Sequence, residues 1–348
     1  MRIFYAADRT PNASSMQSSQ LWYKNLYMPL VDLGHDVAPF QYDLTPHFRN
    51  LNFAAPKQKA FIEENRPKLE QALLAQIEKM HRIKPFDLFF SYFYSACARP
   101  QTIRAIRDMG ITTVNWYCNA SYQFHLVEEI APAYDYCLVP EKYRLNDYRR
   151  VGANPIYCQE AANPNIYKSY DVPQEFDVTF VGQAYGDRPS YVGDILDAGI
   201  DIRVWGPGWD RCIDRRKKLP AGRVGGILSD EELILMYSRS KINLGFSTCG
   251  STHESERRIV QIRLRDFEVP MSGGFYLVEY IEELEEFFEV GKEIVCYEGL
   301  DDLVKKIRYY LRHEDERKAI AMAGRRRCLH DHTWHKRFET AFRQMGLG

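Results

Sequence analysis

The chain has 348 residues, 45% of them apolar and 14% aromatic, with a formal net charge of −1. That length suits about two domains of roughly 150 residues with sizeable cores, and the composition excludes wholesale disorder. The near-neutral charge excludes a global electrostatic grip on nucleic acid or membrane, leaving the basic runs at 214–218 and 324–327 as solvated faces or docking points.

The first residues, "RIFYAA", predict a short buried strand. A polar loop follows ("DRTPNASSMQSS"), then a helix ("QLWYKNLYMPLVDLG") and a second strand ("HDVAPFQY"). This succession is the unit of a parallel sheet. Residues 57–82 have helical periodicity, which Pro67 interrupts. Four more apolar runs come next, "FDLFFSYF", "TTVNWYC", "YDYCLVP" and "NPIYCQEA", spaced by helix-like "PQTIRAIRDMG" and "KYRLNDYRRVG". The first half therefore reads as doubly wound α/β.

Polar, proline-bearing residues 161–177 read as a linker, after which the pattern restarts. Strand "VTFVG", helix "RPSYVGDILDAG", strand "IDIRVWG", helix "SDEELILMYSRS", strand "KINLGFS", a helix ending at Gly273, strand "FYLVEY" and helix "LDDLVKKIRYYLRH" complete it. Both halves are Rossmann-like, with domains expected at 1–170 and 174–332. Two such domains place a cleft between the carboxyl ends of two sheets, where open α/β sheets bind ligands.

Eight scattered cysteines, with neither a CxxC pair nor metal-ligand spacing, predict free thiols in a reducing cytoplasm. The residues "MRIFYAADRT" do not read as a signal peptide, and no apolar run approaches the ~20 residues of a membrane span, so a soluble cytoplasmic protein is expected.

Gly182 directly follows a strand, where the missing side chain lets backbone approach a ligand; a tight turn needs the same glycine. Arg188 opens the next helix, where the helix dipole opposes a guanidinium, so a phosphate partner is the chemistry to test. Gly206 ends another strand, and Gly225 and Gly226 either turn the chain or admit a flat base. Ser229 and Glu232 form a capping box. In "RLRDFEVPMSGGFYL", Arg258, Arg265 and Glu268 share one face if the helix extends that far. Glu268 then lies on a sheet-packed helix, placed to accept two hydrogen bonds from the vicinal hydroxyls of a ribose.

Here the sequence resembles a family. The motif R-x-F-E at Arg265, Phe267 and Glu268, the helix-ending glycine, "F..GKEIVCYEGLDDL", and the terminal His332, Thr333, Trp334 and Arg337 look like the carboxyl-terminal domain of GT-B glycosyltransferases. The similar branch is the spore-maturation-protein-like (CgeB-like) one. The match runs over about 225–340, and over residues 1–170 it is architectural. The resemblance implies a nucleotide-diphosphate sugar as co-substrate in the second domain, with no further cofactor. It implies an acceptor (a glycan, protein, lipid or small molecule) in the first, and a final helix at about 333–348 packing back on that domain.

Carried over by position, Glu268 matches the second glutamate of the family's E-x7-E motif, which contacts the nucleotide ribose. The first falls at Val260, which accepts no side-chain hydrogen bond, so the stereochemical outcome stays open; Glu254 and Glu256 are nearby substitutes. No D-x-D triplet follows a strand, so transfer is expected to be metal-independent, with Arg188, Arg263 and Arg265 neutralising the diphosphate. For a catalytic base the candidates are Asp8, after the first strand, and His125, after another, with Asn119 standing where relatives carry an acid. His330, His332 and His335 belong to the closing segment rather than to a metal cluster. The competing readings are a nucleotide-sugar epimerase of the same fold and a non-catalytic nucleotide-sugar-binding module.

Overall fold

The computed structural model describes residues 1–7, 20–211, 219–220, 222–249 and 258–347. They form two compact units. The first comprises 1–7, 20–159 and 334–347, and the second lies within 160–333.

The first unit is built on six parallel strands: β1 (Arg2–Ala6), β2 (Asp36–Pro39), β3 (Leu88–Ser91), β4 (Thr112–Trp116), β5 (Tyr136–Val139) and β6 (Pro155–Tyr157), in the order β2-β1-β3-β4-β5-β6. Ile3 pairs with Val37 on one side and Leu88 on the other. Such central strands bury both faces, which is why β1 and β3 read as continuous apolar runs rather than as alternating ones. A π-helical turn at Tyr23–Tyr27 leads into α1 (Met28–Asp32), and α2 (Thr45–Arg49) precedes the long α3 (Pro56–Ile83). Helices α4 (Pro100–Asp108), α5 (Ala120–Gln123) and α6 (Leu145–Arg150) connect the remaining strands.

Helix α3 runs unbroken through Pro67, contrary to the expected interruption. Pro67 removes one backbone donor, but it and Glu63, whose carbonyl loses that donor, are exposed, so water satisfies the orphan.

The second unit repeats the plan with β7 (Phe176–Val181), α7 (Arg188–Asp197), β8 (Ile202–Trp205), β9 (Val224–Gly225), α8 (Asp230–Arg239), β10 (Ser240–Gly245), α9 (Leu264–Met271), β11 (Tyr276–Glu279), β12 (Val295–Tyr297), α10 (Gly299–Arg312) and α11 (Glu314–Asp331). Its parallel strands lie in the order β12-β11-β10-β7-β8-β9. The order reverses between β7 and β10, so this pair is the topological switch point, where the loops leaving neighbouring strands diverge and open a crevice. Period-2 alternation divides the core: Leu277 joins the cluster under α7 and α10, while Tyr276 and Val278 join the one under α8 and α9.

Two further differences from the sequence reading follow from packing. The two-residue strand β9 is too short for a periodic signal, and its edge pairing of Trp205 with Gly225 defines it. The units divide at 159–160, ahead of the 170–174 boundary read from composition, because Ala162 and Tyr167 are buried in the second core. The last helix, α12 (Trp334–Gln344), belongs to the first unit, where Trp334 Nε1 donates to Asn25 Oδ1 at 3.1 Å and Phe342 meets His35.

Candidate functional site

Glycines replace side chains at the carboxyl ends of three adjacent strands, β7, β8 and β9. The Gly182 amide donates to the Trp205 carbonyl at 2.8 Å, and its own carbonyl accepts from Trp209 Nε1 at 2.8 Å. A Cβ on Gly182 would meet Arg265 Nη2 and the Phe180 ring, both at 2.7 Å. Gly206 has φ +128° and approaches Gly182 backbone to backbone, while its amide donates to the Gly226 carbonyl at 3.1 Å. Gly226 faces open space. The strand ends thus present bare backbone, with Gly226 accessible and Gly182 filled by an arginine.

Three guanidiniums gather at the switch point. Arg188 opens α7 yet is only 3% exposed. Its Nη1 donates to the Gln183 carbonyl at 3.0 Å, and its Nη2 to the Tyr185 hydroxyl at 2.8 Å and the Thr248 carbonyl at 3.4 Å. Arg263, just before α9, donates through Nη2 to the same two oxygens, at 2.8 Å each. The third, Arg265, lies 5.0 Å over the Phe180 ring.

The electrostatics follow. Burial first, and then the charges of Arg263 and Arg265, lower the Arg188 guanidinium to about 10. Arg188 and Arg263 thus donate to the same phenol and the same carbonyl, both neutral, and each of the other two cations lowers the Arg188 guanidinium while Asp187 raises it. A diphosphate at this place would relieve that repulsion and accept the same N–H groups in charge-assisted form.

Arg258 lies outside α9, so it shares no helical face with Arg265. It instead joins the start of α7 to the end of β11, donating to Asp187 Oδ2 at 2.9 Å through Nη2 and pairing with Glu279, the last residue of β11. Val260 makes a backbone bridge to Thr248. Residues 214–218, Glu254 and Glu256 lie outside the described residues.

Glu268 is the fifth residue of α9, which ends at Ser272 and Gly273, the latter with φ +76°. Its side chain is 6% exposed, and Oε1 accepts from the Tyr167 hydroxyl at 2.5 Å. Burial pushes its carboxyl up to about 7; Tyr167 and Arg265 oppose the rise, while Asp230 and Asp266 add to it. Asp266 is wholly buried, its Oδ1 accepting from Tyr276 at 2.6 Å and its Oδ2 from the Arg263 amide at 2.9 Å. Burial pushes it to about 6. This carboxylate takes the Arg263 amide just before α9, as in a capping box.

In the first unit, Asp8 lies outside the described residues. His125 is exposed on the 3₁₀ turn Phe124–Leu126, and Asn119 Oδ1 accepts from Tyr122 at 3.1 Å. His332 is buried among Phe267, Phe287 and Phe288, with Nε2 2.7 Å from the Phe287 carbonyl. Of the basic run 324–327, Arg327 pairs with Glu293 and Asp331 at 3.0 Å each.

The sequence reading missed several residues. Tyr185, Thr248, Glu279 and Tyr167 carry no motif, although Glu279 ends a predicted strand. Glu141 was legible by the rule that selected Asp8, an acid just past an apolar strand. It is 3% exposed after β5; Oε1 accepts from the Ser121 amide at 3.3 Å, and Oε2 is buried with no hydrogen bond within the geometric limits among the described residues. Burial pushes its carboxyl up to about 7.

Residues 192–343, under half of the chain, match the model of a family described as Glycosyl transferase-like. No curated protein matches the chain. Among solved structures it is similar to sucrose-phosphate synthase (tll1590) from Thermosynechococcus elongatus, at 12% identity over 99% of each chain with a TM-score of 0.65. It is also similar to Anabaena Alr3699/HepE in complex with UDP and glucose, at 11% identity over 99% of each chain with a TM-score of 0.61. A glycosyltransferase from Rickettsia africae ESF-5 matches at 11% identity, over 98% of this chain and 96% of its own, with a TM-score of 0.61. At these identities the likeness establishes the fold, the two-sheet α/β architecture of GT-B glycosyltransferases.

Proposed function

We propose that this chain, whose residues 192–343 carry an enzyme domain of glycosyltransferase type, moves a sugar from a nucleotide-diphosphate sugar to an acceptor, with the donor held by the second unit. The observation that carries the reading is the gathering of Arg188, Arg263 and Arg265 beside glycine-bared strand ends at the β7/β10 switch point. The diphosphate takes the guanidiniums, the base lies against Gly226, and Glu268 accepts from the ribose hydroxyls. HepE, solved with UDP-glucose, supports this donor class. Within the class, the Arg265–Phe267–Glu268 motif and the terminal His332–Thr333–Trp334 support the spore-maturation-protein-like branch.

Three fixed cations supply the charge that a leaving diphosphate requires, so transfer is assigned as metal-independent. Turnover is expected to survive chelation; a loss restored by manganese overturns that part. The base for the acceptor hydroxyl is assigned to Asp8 or His125, after strands of the first unit, and the cytoplasm is proposed as the compartment. Among the described residues no helix is long and apolar enough to cross a membrane.

The test is a thermal-shift panel of nucleotides and nucleotide sugars. A ligand at 100 times its dissociation constant stabilises by about 2.7 kcal/mol, and Glu268→Ala is expected to lose most of that shift while remaining folded. An unchanged affinity in that variant removes Glu268 from the site. Conversion of one nucleotide sugar into another without acceptor identifies an epimerase, and binding without turnover a non-catalytic module.

A further inference from the structure

We infer that Tyr167 is the positioning residue for ribose recognition, its hydroxyl holding one oxygen of Glu268 so that the carboxylate is aimed at the nucleotide. The inference rests on the donor reading above and adds to it a residue from outside the matched segment.

The geometry begins with Asn163, which is fully buried. Its carbonyl accepts the amides of Ile166 at 3.0 Å and Tyr167 at 2.9 Å, and its Oδ1 accepts the Asn165 amide at 2.9 Å. That doubly held turn fixes the direction in which the Tyr167 ring leaves the backbone. The ring is 5% exposed, packed in the same core cluster as Phe267 and Tyr237. Its hydroxyl donates to Glu268 Oε1 at 2.5 Å, a charge-assisted bond across 101 residues of chain. A carboxylate offers about four lone-pair sites, so Oε2 and one site on Oε1 remain for two ribose hydroxyls.

A buried acid is a poor acceptor unless something keeps its proton off. Around Glu268 stand Asp230 of α8 and Asp266 of α9, both of which favour the protonated form. Against them stand Arg265 of α9 and Tyr167, and burial itself is the largest influence toward protonation. Tyr237 of α8 also faces the group. Arg265 is claimed by the diphosphate in the donor reading, so once the donor is bound the phenol is what holds the carboxylate in its accepting form.

The experiment measures nucleoside diphosphate affinity by calorimetry between pH 7 and 9. The probes are UDP, GDP, ADP, CDP and dTDP, plus the 2′-deoxy form of the tightest ribonucleotide, against wild type, Tyr167→Phe and Glu268→Gln. A bond from a neutral donor to a charged acceptor is worth about tenfold or more. Tyr167→Phe is therefore expected to weaken binding about tenfold at pH 7, to recover most of it by pH 9, and to lose preference for ribose over deoxyribose at pH 7. Glu268→Gln is expected to weaken binding at every pH. The diphosphate's own titration is common to all three proteins and cancels in the comparison.

A Tyr167→Phe protein whose affinity keeps the wild-type pH profile, or falls equally at all pH values, overturns the inference while Glu268→Gln keeps the donor reading intact. Failure of every diphosphate to bind, or indifference to Glu268→Gln, overturns the donor reading and the inference with it. Carbon-13 NMR of the Glu268 carboxyl in the apo protein gives a second readout, with an upward shift of about one pH unit expected in Tyr167→Phe. No shift overturns the inference.

Discussion

A side chain on Gly206 would run into the carbonyl of Gly182, so the ends of β7 and β8 meet through backbone alone. Gly206 also has φ +128°, a conformation closed to other residues. Gly206→Ala is expected to lose about 2–4 kcal/mol in urea unfolding, since neither the conformation nor the carbonyl gives way. Gly226→Ala meets nothing within 4 Å, so its stability should stay within about 0.5 kcal/mol of wild type while nucleotide affinity falls. Equal stabilities for the two variants contradict this account of the strand ends.

Arg188→Gln keeps a long polar side chain at the start of α7 and removes the charge. Calorimetry is expected to show a nucleoside diphosphate bound about 10–100-fold more weakly, with the parent nucleoside unaffected. The contrast isolates the diphosphate, because a collapse of the site would weaken both ligands. A uniform loss assigns Arg188 to packing against Tyr185, whose ring lies 3.9 Å beneath it.

Glu141 makes stability depend on pH with a definite sign. Burial raises its carboxyl from 4.5 to about 7, so between those values the folded state binds more protons than the unfolded state. Stability therefore falls as pH rises through that window, and Asp266, raised to about 6, acts in the same direction. Glu141→Gln removes the ionisation and is expected to gain roughly 3 kcal/mol relative to wild type between pH 5 and pH 8, measured by urea denaturation. A variant that differs from wild type by the same amount at both pH values shows that Glu141 does not titrate across this range.

Local features of both units were legible residue by residue. Ser229 and Glu232 form the expected capping box, with the Ser229 amide donating to Glu232 Oε2 at 2.7 Å and the Glu232 amide to Ser229 Oγ at 3.2 Å. Gly273 terminates α9 as expected. The reading of Pro67 as a break was wrong, because burial decides whether a missing donor matters, and the periodic pattern does not record it. The seven described cysteines lie outside any disulfide, and all are buried.

By itself the sequence determined the alternation of strands and helices, the caps, the glycine-ended strands and the supply of arginines near them. Those follow from interactions within a few residues of chain, which propensity and periodicity encode. Only the tertiary structure decided which of these residues meet. Arg263 and Tyr185 are 78 residues apart, and Tyr167 and Glu268 are 101 apart. Such encounters depend on β10 lying beside β7, and a strand's apolar pattern is satisfied by any neighbour that covers it. The switch point gathers scattered arginines in one place, and burial around α9 raises the Glu268 carboxyl while a phenol distant in sequence opposes the rise.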